Sequence, residues 1–90
     1  MALYRKAAER GGADSQLLLA TCYLKGVGVE QNIVVAAEWA LRAAAQGYAD
    51  AQSNMGVLCE RGQGVPRSLA QAEAWYRRAG AYTRSLQSST

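Results

Sequence analysis

The chain has 90 residues, 50% of them apolar and 19% charged, with a formal net charge of +3. That length holds one domain at most, and the composition excludes a disordered, highly charged chain. No stretch approaches the roughly 20 apolar residues of a membrane span. The first predicted element is a helix over residues 2–10. A second begins at Ala13-Asp14, where the aspartate is expected to cap free first-turn amides. It packs through Ser15, Leu19, Ala20 and Tyr23 and stops at Gly26, which can take the left-handed conformation. A third helix starts behind Asn32, buries Ile33, Ala36, Ala37, Ala40 and Ala44, and ends at Gly47. A fourth starts at Ala49-Asp50, again with the aspartate as expected cap. It packs through Ala51, Met55, Gly56 and Cys59, one face at helical spacing, and stops at Gly62. The fifth follows Pro66; Ser68 with Gln71 fits a capping box. Its expected packing face is Leu69, Ala72, Tyr76, Ala79 and Gly80, and Thr83 stands where a glycine stop equivalent to Gly47 would be.

These elements repeat. Gly26-Val27-Gly28-Val29 returns as Gly62-Gln63-Gly64-Val65, and Trp39, Arg42 and Ala43 return as Trp75, Arg78 and Ala79. Ala7-Ala8, Gly11, Ala13-Asp14 and Gln16 return as Ala43-Ala44, Gly47, Ala49-Asp50 and Gln52, every interval being 36 residues. A fixed period of this size marks a solenoid, in which each unit buries its apolar face against the next. The expected fold is all-α, a right-handed superhelix of helix-turn-helix repeats. Each repeat pairs an A-helix with a B-helix. Residues 1–12 form a partial repeat holding a B-helix, residues 13–48 and 49–84 are the full repeats, and residues 85–90 form a frayed polar tail.

The pattern of a small residue, then Leu19-Ala20, Tyr23 and Gly26-Val27-Gly28-Val29, resembles the Sel1-like repeat family of tetratricopeptide-like α-solenoids. The second unit reads Met55-Gly56, Cys59 and Gly62-Gln63-Gly64-Val65. The B-helices read Ala36, Trp39-Ala40, Ala43-Ala44, Gly47, and then Ala72, Trp75-Tyr76, Ala79; Leu3-Tyr4, Ala7-Ala8 and Gly11 fit the same half. The likeness covers about residues 2–80. Cys59 and Ala40 stand where the family has tyrosine, and Gly80 where it has alanine. These departures imply looser packing, above all in the last unit. The resemblance implies a scaffold for protein or peptide contact, with A-helices lining a concave face.

Chemistry-bearing readings are weaker. Gly26-Val27-Gly28 lacks the third glycine of a dinucleotide loop, follows a helix rather than a strand, and lacks the lysine of a phosphate-binding loop. Without histidine there is neither the usual general base nor a Ser-His-Asp arrangement, so no catalytic residue is assigned. Cys22 and Cys59 are expected to be free thiols; no metal site or cofactor is assigned, since there is no C-x-x-C. Trp39 and Trp75 read as packing between B-helices rather than as a ligand cage. From Arg61 onward five arginines face Glu73 alone, a charge of about +4. Without interleaved aromatics this reads as a solvated face, and two repeats are too few to read RNA, so no nucleic acid partner is expected. No membrane partner is expected either. The first nine residues have no signal-peptide apolar region, so a cytoplasmic address is the default, with a longer exported parent left open.

The partner surface is expected on the A-helices, away from their packing faces. In the first it is Leu17, Leu18, Thr21, Leu24 and Lys25; in the second, Ser53, Asn54, Val57, Glu60 and Arg61. Leu17, Thr21 and Leu24 fall on one stripe, and an apolar stripe facing solvent marks an interface or an edge that a preceding A-helix would cover. The expected function is a non-enzymatic interaction scaffold for a partner protein, a peptide or a second copy of the chain. The alternative is a small regulatory subunit, or a piece of a larger repeat protein with no independent activity.

Overall fold

The structure, a computed structural model, describes residues 2–80. Those residues form five helices and no strand: α1 (Ala2–Glu9), α2 (Ala13–Lys25), α3 (Ile33–Ala45), α4 (Ala49–Arg61) and α5 (Leu69–Ala79). Helices α2 and α4 are the A-helices; α1, α3 and α5 are the B-helices. Closest packing runs between chain neighbours, and the molecule measures 46 × 23 × 17 Å. The expected tail, and residues 81–84 of the second repeat with Thr83, lie outside the described residues.

The period reappears as repeated hydrogen bonds. Gly26 and Gly62 close α2 and α4 in the left-handed conformation, at φ 73° and 68°. The chain then returns to the helix it has left. The amides of Asn32 and Ser68 donate to the carbonyls of Tyr23 and Cys59, at 2.9 and 2.8 Å. Gln31 Nε2 donates to the Leu24 carbonyl at 2.8 Å, and Arg67 Nε to the Glu60 carbonyl at 3.1 Å. Carbonyls left open by helix ends are thereby satisfied twice over in matching places. Asn32 Oδ1 accepts from the Val35 amide and Ser68 Oγ from the Gln71 amide, the N-caps expected for α3 and α5. Gln71 does not complete the capping box: its Oε1 lies 4.0 Å from Cys59 Sγ.

A second repeated device escaped the sequence reading. Gln16 and Gln52 are both buried. Gln16 Nε2 donates to the Ala8 carbonyl at 2.9 Å, and Gln52 Nε2 to the Ala44 carbonyl at 3.2 Å. Each glutamine sits early in an A-helix and satisfies the C-terminal end of the preceding B-helix, so burial carries no unpaired polar cost.

Several expectations need correction. The aspartates are not N-caps: the caps are Gly12 and Tyr48, without side-chain bonds, and Asp14 and Asp50 lie in the first turn. There they still favour the positive end of the helix dipole, and Asp14 Oδ1 accepts from the Ser15 amide. On the B-helices, Ile33 is 36% and Leu69 57% exposed, whereas Ala36 and Ala72, one turn on, are buried. Burial along that stripe starts one turn in, and Ala43 joins it. Gly80 is not a packing residue. At φ 80° it caps α5, which has 11 residues against 13 in α3. Alanine dominates the core, alongside Leu19, Met55, Leu58 and Cys59. Small side chains let the helices approach closely.

Candidate functional site

The ten A-helix residues expected to meet a partner divide. Leu17 packs partly buried against the core cluster, so it does not stand clear of its helix's packing face. Its carbonyl accepts from Thr21 Oγ1 at 3.0 Å. Leu18 is 49% exposed, and Lys25, Asn54, Glu60 and Arg61 are exposed. Thr21, Leu24, Ser53 and Val57 are half-buried. Thr21 and Leu24 from α2 converge with Asn54, Val57 and Arg61 from α4 on one pocket. Leu17, Leu18, Lys25, Ser53 and Glu60 do not line it.

Part of the pocket's lining comes from residues expected on packing faces. Ala36 and Ala40 of α3 line it, together with Ala20, Leu58 and Gln63. Its volume is about 90 Å³. Ala40 is the cause. In the second repeat the same position is Tyr76, whose ring lies so close over Gly56 that a methyl there would come within 2.5 Å of a ring carbon. Tyr76 donates its hydroxyl to Glu60 Oε2 at 3.2 Å. The looseness inferred from Ala40 is therefore in the first repeat, whereas the last unit closes tightly on Tyr76 and on Cys59, which is 1% exposed. The signal was present in the sequence as the Ala40 departure; its location was not.

Burial, then the hydrogen bond and charge of Glu60, raise Tyr76 above its ordinary value of 10.0, against a lesser pull from Arg61. Burial raises the Cys59 thiol above its ordinary 9.0. Both groups are held neutral by folding but ionise at their ordinary values once unfolded. Their contribution is full below about pH 9 and is lost as pH rises through the raised values. The thermal midpoint is expected to fall from about pH 9 upward. Tyr76→Phe should flatten the part above pH 10. An unchanged alkaline slope in that variant would show that folding does not raise the Tyr76 hydroxyl.

Several of the other aromatics and cations have internal partners. Trp39 and Trp75 pack partly buried against the core, each stacked under the arginine three residues on, Arg42 or Arg78, at 4.5 Å. The cluster they meet includes Ala37, Ala40, Ala43 and Ala44 of α3 and Ala72 of α5. Arg77 pairs with Glu73 at 2.7 Å. Arg5 donates to the Tyr23 hydroxyl, tying α1 to α2. Both cysteines are free. No described helix is long and apolar enough to cross a membrane.

The glycine loops, the buried glutamines and the alanine-lined B-helices recur at one interval, and that repeat matches a known family. The Sel1 repeat family matches residues 1–12, 13–48 and 49–81. The chain belongs to the Sel1 repeat family. Among solved structures, this Sel1 repeat chain is similar to a Sel1 repeat protein from Oxalobacter formigenes, with 42% identity and a TM-score of 0.83. That match covers 88% of this chain and 32% of the other. It is also similar to c5321, a protective antigen of uropathogenic Escherichia coli strains displaying an SLR fold, at 36% identity and a TM-score of 0.82. Here 86% of this chain and 16% of that one are covered, so the chain spans a third or less of these relatives. No curated protein matches. Sel1 repeats are helical scaffolds, generally of protein interactions and not typically enzymatic.

Proposed function

We propose that this Sel1 repeat chain binds a partner protein or peptide through the face formed by α2 and α4. The observation that carries this reading is the convergence of Thr21, Leu24, Asn54, Val57 and Arg61, from two successive A-helices, on one pocket. A surface assembled from neighbouring repeats is how solenoids present a binding face, and Thr21 and Val57 are equivalent positions of the two repeats. An apolar concavity with a few polar groups at its edge is the form such sites take.

The test replaces first-repeat residues by those the second repeat carries in the same places. Leu18→Asn reproduces Asn54, and Leu24→Glu reproduces Glu60. Leu17 is left alone because it packs on the core. The double variant is expected to keep its helicity by circular dichroism, Leu18→Asn at an exposed site costing about 0.5 kcal/mol or less and Leu24→Glu at a half-buried one about 1 kcal/mol, so the thermal midpoint should stay within about 10 °C of the parent. Association should be lost, read by affinity capture with mass spectrometry and, for self-association, by size exclusion with light scattering. A folded double variant that associates as the parent does moves the interface elsewhere. The exposed Val34 and Leu41 of α3 are then the next surface to test.

A further inference from the structure

We propose that the pocket between α2, α3 and α4 receives a phenylalanine side chain from a partner peptide, with a flanking carboxylate meeting Arg61. This rests on the partner-binding function proposed above and names the chemistry of the occupant.

The second repeat shows how the same place is closed from within. There Tyr76 lies over Gly56 and hydrogen-bonds Glu60. One period earlier these three positions are Ala40, Ala20 and Leu24, and all three line the pocket. The register position reads Tyr4 in α1, Ala40 in α3 and Tyr76 in α5, so only the middle B-helix lacks the ring. Val57 and Leu58 add to the apolar lining. The lining is mainly apolar, so a hydrocarbon side chain gains by leaving water for it.

Three features select the occupant. Leu24 stands where Glu60 accepts the tyrosine hydroxyl, so the pocket offers no carboxylate to a phenol and suits an unsubstituted ring. The Ala20 methyl occupies space that Gly56 leaves to Tyr76, so the ring sits farther out, within reach of a side chain arriving from solvent. Arg61 is the one charged side chain on the wall; it is exposed, and no described carboxylate lies within ion-pair distance of it. Neighbouring Glu60 is engaged by Tyr76. A carboxylate beside the anchor therefore gains a partner, and a cation there is repelled. These 90 residues contain no phenylalanine, so none of them supplies the ring.

The probes are three end-capped pentapeptides, titrated into ¹⁵N-labelled protein. They are Gly-Asp-Phe-Asp-Gly, the same peptide with serine for phenylalanine, and the same with lysine for both aspartates. The first is expected to shift the amides of Ala20, Leu24, Val57 and Arg61 in proportion to dose. The serine peptide should leave them in place, and the lysine peptide should bind about fivefold more weakly, the scale of one exposed ion pair. Ala20→Gly with Ala40→Tyr installs the second repeat's own pair and should abolish the shifts while the protein stays helical. Arg61→Glu, an exposed change, should reverse the preference between acidic and basic peptides. No shifts from the first peptide, shifts elsewhere, equal shifts from all three, or shifts that persist in the folded sealed variant each overturn the proposal. Should the sealed variant not fold, an unchanged preference in Arg61→Glu overturns it. Association that fails in the Leu18→Asn, Leu24→Glu protein while the peptides stay silent removes the phenylalanine anchor and leaves the binding face standing. Association unaffected by that double variant removes the face itself.

Discussion

Gly64→Ala is expected to lower stability by about 2–4 kcal/mol and the thermal midpoint by roughly 10–25 °C. Two costs add. Gly64 has φ 73°, where a side chain is strained by roughly 1 kcal/mol. A Cβ there would also stand 2.5 Å from the Ile33 carbonyl oxygen and 3.0 Å from the Ala37 Cβ. The obstacle is largely backbone of α3, which cannot swing aside as a long side chain can. The second glycine of the loop is thus where the second repeat seats on the first. Gly26→Ala is the control: it has the same left-handed φ, but its nearest obstacle is the Gln31 Cβ at 3.2 Å. It should cost about 1 kcal/mol. Urea unfolding followed by circular dichroism separates the two. Equal costs would show that the Gly62-Gln63-Gly64-Val65 loop does not press on α3.

Leu19→Ala should cost about 3 kcal/mol, within the usual 2–5 for a buried leucine. Leu19 is fully buried and, with Cys59, is among the largest side chains so enclosed. Alanines supply most of the core around the helix contacts, and a methyl side chain has no rotamer with which to fill a void. A two-repeat solenoid is expected to have a folding free energy of about 5 kcal/mol or less, so this one change removes much of it. Leu18→Ala, one residue away and 49% exposed, should stay within about 0.5 kcal/mol of the parent. The comparison needs only two denaturation curves. Similar midpoints for the two variants would mean that the register of α2 is wrong by one position.

The sequence alone determined the period, the helix order and the ends of most helices. Those features are set locally: left-handed glycines at 26 and 62 and capping side chains at Asn32 and Ser68 act within a few residues of themselves. The α4 packing face was legible for the same reason, since Ala51, Met55, Gly56 and Cys59 are all buried and their angular spacing is a property of one helix. Where a buried stripe begins was not legible. Ile33 and Leu69 share the angle of Ala36 and Ala72 but stand exposed, because a helical angle says nothing about how far along the axis a neighbour extends. Leu17 shows the converse, an off-stripe leucine that meets the core. Gly80 and Gly64 were misread or left without a role because one closes a helix early and the other meets a different repeat. The pocket depended on tertiary structure most of all. Its cause is a pair exchanged across two helices, Gly56 with Tyr76 in one repeat and Ala20 with Ala40 in the other. Each residue suits its own helix; only their approach across the α2–α3 and α4–α5 contacts leaves one place filled and the other open.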